Sequence, residues 1–256
     1  MTPYYETELG KLYHGDCLEI IPHIEPVDLV FADPPFNINK PYMDKRKNYP
    51  DWCADWIGWC FRVLKDSGSF YHMTLSRHLE WKMPIMARGG VFINKIEWKN
   101  VSAQHSKNQF WPATQPIMLY GKTDNYIFNT YAETDNKIQK RWTPFKKGSR
   151  GQLKDFWDDI PLVYAGSISH PEAILVKGTK KKAHPCQMPK ALAKRAILFS
   201  TNENALVLDP FSGSGTTLLS CEDLNRRWIG IEIEEKYCEI AAKRIEKERS
   251  QLKLWS

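Results

Sequence analysis

The chain has 256 residues, of which 42% are hydrophobic, enough apolar material for one substantial α/β core with an inserted lobe. Its formal charge of +6 suits a polyanionic partner without proving one. No N-terminal signal-type segment is present, no apolar run approaches the roughly 18 residues that cross a bilayer, and the six cysteines form neither C-x-x-C pairs nor a Cys/His metal spacing. The expectation is a soluble cytoplasmic chain with reduced cysteines, no metal site and no membrane contact.

In chain order, the first strong strand pattern is Val27–Asp33, which runs straight into Asp33-Pro34-Pro35-Phe36. A basic, aromatic stretch, Asn37–Pro50, follows. Trp52, Trp56, Trp59 and Val63 then recur at helical spacing up to a stop at Ser67-Gly68. Strand patterns follow at Gly68–Thr74, Phe92–Lys99 and Pro116–Tyr120. After the basic interval Lys122–Lys182 come a helix over Pro189–Ser200, a strand over Leu206–Asp209, a helix over Thr216–Leu224 and a strand over Trp228–Ile233. A C-terminal helix begins near Glu234 and is rich in i, i+4 charge pairs. Strands alternating with helices predict a mostly parallel sheet covered on both faces, with ligands at the carboxyl ends of the strands. Asp33, Asp209 and Glu232 all fall at such ends, so three residues far apart in sequence are predicted to meet along one rim.

The D-P-P-F turn looks like a device for holding an amino group. An exocyclic amine on a nucleobase is a poor nucleophile because its lone pair is delocalised into the ring, so a site that methylates it must supply acceptors. The Asp33 carboxylate is one and the Pro34 carbonyl the second, since a prolyl pair removes backbone donors and fixes the turn. Phe36 offers a face on which a base that has left the helix can stack. Alone, these residues read equally well as a strand and a rigid turn. In Asp209-Pro210-Phe211-Ser212-Gly213-Ser214-Gly215-Thr216-Thr217, small residues let backbone approach a ligand where a helix begins. Thr216 follows Gly215 where a P-loop needs Lys, which disfavours a nucleoside triphosphate. Glu232 is placed to accept from both ribose hydroxyls of a nucleoside cofactor; a solvated rim charge is its bland alternative.

Taken together, D-P-P-F, D-P-F-S-G-S-G-T-T and G-I-E-I-E-E-K-Y resemble the motifs of S-adenosylmethionine-dependent DNA amino-methyltransferases. The catalytic motif precedes the cofactor glycines, as in the circularly permuted beta class. Leu12-Tyr13-His14-Gly15-Asp16-Cys17 is similar to the family segment whose Asp approaches the cofactor adenine. His184-Pro185-Cys186-Gln187-Met188-Pro189-Lys190, with Leu192 and Arg195, is similar to a segment beside the methionine moiety. Met188 stands where the family usually has Lys, so a cation role does not carry over. The resemblance implies a Rossmann-like methyltransferase fold in one domain over 1–256, with a target-recognition region inserted at about 122–182. It also implies cofactor contacts from Asp16, Cys17, Asp33, His184, Asp209, Phe211, Ser212, Gly213, Ser214, Gly215, Thr216, Thr217, Glu232 and Ile233.

Lys40, Lys45, Arg46 and Lys47 follow the catalytic turn and are expected to form a flap over the target base and its phosphates. Lys140, Arg141, Lys146, Lys147 and Arg150 crowd the inserted region and are the further candidates for DNA contact, lysines for phosphates and arginines for base edges. Pro185-Cys186-Gln187 also marks cytosine-C5 enzymes, but the motif order and D-P-P-F oppose that reading and leave Cys186 a packing residue. The expected activity is site-specific transfer of a methyl group from S-adenosylmethionine to a flipped-out adenine N6, through Asp33, Pro34, Pro35 and Phe36. Cytosine-N4 is the alternative, with Ser more usual than Asp at the first position of that subgroup; a catalytically inactive DNA-binding subunit is the second. Double-stranded DNA, a homodimer and a cognate restriction endonuclease are the partners the resemblance implies.

Overall fold

A computed structural model describes residues 1–38, 46–99, 108, 110, 112–129, 154–162, 172–174 and 187–252. The expectations placed on Lys40, Lys45, Lys140, Arg141, Lys146, Lys147, Arg150, His184 and Cys186 lie outside the described residues.

The strands are β1 (Tyr5–Glu6), β2 (Gly10–His14), β3 (Val27–Ala32), β4 (Leu64–Met73), β5 (Val91–Lys99), β6 (Thr114–Gly121), β7 (Phe156–Trp157), β8 (Leu206–Asp209) and β9 (Arg227–Glu232). Among the described residues they form one sheet in the order β1-β2-β9-β8-β3-β4-β6-β5-β7. Its centre, β2-β9-β8-β3-β4, is parallel throughout. Strand β6 runs antiparallel to both β4 and β5, and β1 forms an antiparallel edge on β2. The mostly parallel α/β arrangement read from the sequence is therefore present.

Period-2 alternation sorts the strand side chains into two cores. Leu29, Phe31, Tyr71, Met73, Val207 and Trp228 point to one face, where they meet α4 (Lys190–Ser200), α5 (Thr216–Asp223) and α6 (Glu235–Leu252). Val30, Ala32, Phe70, Leu208, Ile229 and Ile231 point to the other. That face is covered by α1 (Cys17–Ile20), α2 (Tyr49–Val63) and α3 (Leu79–Ala87). Helix α2 buries Trp52, Cys53, Trp56, Ile57, Cys60 and Phe61, a stripe at i, i+3, i+4 and beyond that makes Trp52 and Trp56 core residues, while Trp59 is only partly buried.

The chain leaves β3 toward β4 on one side and β8 toward β9 on the other, and β3 lies beside β8. Their carboxyl ends therefore flank a topological switch point, where open α/β sheets bind ligands. Several elements differ from the sequence reading. Helix α2 stops at Val63, ahead of Ser67-Gly68, because Leu64 is already extended and β4 begins there. Asp33 lies just past the end of β3. Strands β1, β2 and β7 and helices α1 and α3 were not anticipated: three are too short to show a period, β2 reads as polar, and α3 carries Pro84 inside it.

Candidate active site

The rim holds the three predicted acids on neighbouring strand ends: Asp33 after β3, Asp209 closing β8 and Glu232 closing β9. Burial pushes the Asp33 carboxyl up to about 7, the charge of Asp209 adds to the shift, and Lys82 opposes it. Asp209 is likewise raised to about 7 by burial, with Glu232 adding to it and the Phe211 N–H working against it. Burial also raises Glu232. Three acids thus crowd a site that resists holding all of them ionised.

The catalytic turn keeps its acceptors open. Among the described residues no donor reaches the Asp33 carboxylate or the Pro34 carbonyl. The Pro35 carbonyl, by contrast, is taken by the Tyr49 hydroxyl at 2.7 Å, which ties the turn to the first turn of α2. Phe36 is largely buried, at 9% exposure. Asn37 follows with φ 52° and clasps the backbone of Arg46, its Oδ1 accepting from Arg46 N and its Nδ2 donating to Arg46 O, each at 3.2 Å. The Arg46 guanidinium lies 4.5 Å from the Trp52 ring, packed onto the site, whereas Lys47 is exposed.

The glycine loop is fastened from both sides. Ser212 donates from its N–H and its hydroxyl to Ile231 O, at 2.9 and 3.1 Å. Gly213, at φ 50°, donates to Glu232 Oε2 at 2.8 Å, and Glu232 Oε1 accepts from Glu234 N at 2.8 Å. Gly215, at φ 80°, has no room for a side chain, since a Cβ there would stand 2.8 Å from Ala241 Cβ. Phe211 reaches back to the catalytic side and packs edge-on against Trp56 and Trp52, with centroids 4.9 and 5.6 Å apart. One aromatic wall, Tyr49-Trp52-Trp56-Phe211, joins the two motifs.

Beside Glu232, the Gly15 N–H donates to Glu232 O at 3.0 Å, bringing the end of β2 into the site. Asp16 caps α1 with one oxygen, accepting from Leu18 N at 2.9 Å, and has the other to offer. Cys17 is buried and its thiol is pushed well up by burial. Ile233 stays 55% exposed next to Glu232. Spare acceptors on Asp16 and Glu232 beside an uncovered apolar side chain fit a nucleoside with hydroxyls, an amino group and a flat ring. The five described cysteines are free and buried, and no group of His, Cys, Asp and Glu among the described residues is arranged to hold a metal ion. Nor is any described helix long and apolar enough to cross a membrane.

Two residues of the site escape a sequence reading. Arg244 of α6 donates to Ser214 O, to Ser214 Oγ at 3.2 Å and to Thr216 Oγ1 at 3.3 Å, and burial lowers its guanidinium to about 10. Its signal is a charge three residues past Ala241 on the buried stripe Cys238, Ala241 and Ile245. Lys82 of α3 is fully buried behind the catalytic turn. Just ahead of α4, Met188 is buried in the core, and Gln187 Oε1 accepts from Ile174 N at 3.1 Å. Lys190 pairs with Asp223 and Glu248 at 2.8 and 3.1 Å.

The comparisons agree with this geometry. A DNA methylase family model covering N6 and N4 enzymes matches residues 27–243. The type II methyltransferase M.BamHI of Bacillus amyloliquefaciens is 34% identical over 98% of this chain, which spans 60% of that protein's length. The DNA adenine methyltransferase YhdJ of Escherichia coli is 32% identical over 94% of this chain and 84% of its own. In fold, the cytosine-N4-specific PvuII DNA methyltransferase superposes with a TM-score of 0.73 at 22% identity, over 97% of this chain and 93% of that one. With its motifs gathered on one rim and matched along nearly its whole length, the chain belongs to the DNA methylase family of N6 and N4 amino-methyltransferases, whose methyl donor is S-adenosylmethionine.

Proposed function

We propose that this chain is a site-specific DNA adenine-N6 methyltransferase acting by direct transfer. The observation that carries the reading is the Asp33 carboxylate, an acceptor without a donor among the described residues, one strand away from the glycine loop. Asp33 and the Pro34 carbonyl each accept one N–H of the target amine, which localises the nitrogen lone pair and turns it outward. Bound S-adenosylmethionine supplies a methyl made electrophilic by its sulfonium. Glu232 and Asp16 would hold the nucleoside end of that cofactor and the loop from Ser212 to Gly215 would lie against it, while the Tyr49-to-Phe211 wall joins loop and turn. In the transfer the nitrogen would form a bond to the methyl carbon as the carbon–sulfur bond breaks, the sulfur keeping the electron pair in S-adenosylhomocysteine, and the amine would then shed a proton, to Asp33 or to solvent. Asp in place of Ser at the head of the motif and the adenine-directed relative favour adenine. Cytosine-N4 is the second reading, because its amine presents the same geometry and a cytosine-N4 enzyme shares the fold.

Duplex DNA is the partner in this reading, with Lys40, Lys45, Lys47, Lys140, Lys146 and Lys147 for its phosphates and Arg141 and Arg150 for base edges. A homodimer and a cognate restriction endonuclease belong to the same proposal. The test is sequencing, with modified-base detection, of DNA from cells expressing the chain or its Asp33→Ala variant. N6-methyladenine at one motif with the wild type and none with the variant is expected, while cofactor affinity by calorimetry stays within about twofold. N4-methylcytosine selects the second reading, and near wild-type modification by Asp33→Ala removes Asp33 from the mechanism.

A further inference from the structure

Lys82 has 0% exposure, and a buried ammonium is costly unless it is paired. Its Nζ lies 3.0 Å from His72 Nε2 and sits over the rings of Tyr49 and Trp81, at 5.5 and 5.4 Å from their centroids. All three neighbours are uncharged: burial first, then the lysine's own charge, holds His72 well below its ordinary range. Burial lowers the Lys82 ammonium to about 8, with Cys53 and Asp33 working against the shift, so its charge among neutral partners calls for a counter-ion. Two contacts lead from the lysine to the catalytic turn. His72 is the register partner of Ala32, so the ring that holds the ammonium stands one residue from Asp33. Tyr49, whose ring faces the ammonium, donates to the Pro35 carbonyl.

We propose that Lys82 is a positioning residue of the transfer site: clasped by His72, Tyr49 and Trp81 behind the turn, it is the fixed counter-charge that keeps the Asp33 carboxylate ionised when a target amine arrives. The inference rests on the reading of Asp33 as the amine's acceptor. A protonated Asp33 becomes a donor and loses an acceptor, and burial and the neighbouring Asp209 favour that outcome. Lys82 is faced by Tyr49 and Cys53 from α2, by His72 from β4, by His78 from the 3-10 turn Ser76–His78, beside which Arg77 lies, and by Asp33. Asp33 is faced by Asp209, Tyr49 and Lys82, the last being the cation among the described residues that opposes its protonation.

The experiment is single-turnover methylation of unmodified plasmid DNA against pH for the wild type, Lys82→Met and Lys82→Gln, the last keeping a hydrogen-bonding group beside His72. The acid limb of the rate is expected to move up by one pH unit or more in both variants. Below the wild-type limb the rate falls at least tenfold further than it does at high pH, while cofactor affinity holds. An unmoved limb, or a loss equal at every pH, overturns the proposal. A measurement free of Lys82 variants follows the most acidic lysine of the folded protein by 13C-lysine NMR: in Asp33→Asn its midpoint should drop, and an unmoved midpoint overturns the pairing. Full turnover by Asp33→Asn would instead sink the acceptor reading and leave the NMR result to judge the pairing alone.

Discussion

Glu232 shows how one side chain serves two purposes. Each of its oxygens already accepts a backbone N–H, from Gly213 and from Glu234, so the carboxylate shapes the glycine loop as well as offering its second lone pairs to a ligand. Glu232→Ala should therefore weaken S-adenosylmethionine binding by about 1.5–3 kcal/mol through the lost charged acceptors. Glu232→Gln, which retains one oxygen, should lose less. Calorimetry on both variants checks the order, and equal affinities in all three proteins would contradict the assignment. The sequence made this residue legible because an acid ending an apolar strand is conspicuous. It did not make Lys82 legible, since the apolar residues around it do not gather on one helix face and nothing local says that the lysine turns inward.

At the scale of elements, α5 and α6 meet where a glycine is obligatory. Gly215 combines a left-handed φ with a Cβ position 2.8 Å from Ala241 Cβ, so relief would require moving helix against helix. Gly215→Ala should cost roughly 1–3 kcal/mol, or about 2–4 °C in Tm per kcal/mol for a chain of this size, and an unchanged melting temperature would deny the contact. The longer strands and helices were readable because their residues recur with period 2 or 3.6 over many positions. Strands β1 and β7 have two residues each and exist through pairing with β2 and β5, information that no local window contains. The rim followed from strand ends alone, whereas the clamp of Arg244 on Ser214 depends on how α6 crosses the loop.

Across the whole molecule, the acids of the rim make stability depend on pH. Asp209 is raised to about 7 in the folded chain from an unfolded value near 4, so the folded state binds a proton that the unfolded state has released between those values. Its contribution is present below about pH 4 and is lost as pH rises through about 7. Asp209→Asn, which keeps an oxygen for the Phe211 N–H, should match the wild type in acid and become progressively more stable than it up to pH 8, as read by thermal melts. A gap that does not widen with pH would rule out a buried, reluctantly ionised Asp209. A second large-scale feature is the mooring on α4 of the two described segments that border residues 130–153. Asn129 donates from Nδ2 to Leu198 O and Thr201 O, at 3.1 and 3.0 Å, where the chain departs. Where it returns, Arg195 holds Asp159 through both nitrogens of its fork and lies 4.9 Å from the Trp157 ring. With both borders moored to one helix, α4 carries them as a unit, so a substitution that displaces α4 should displace the two segments together rather than either alone.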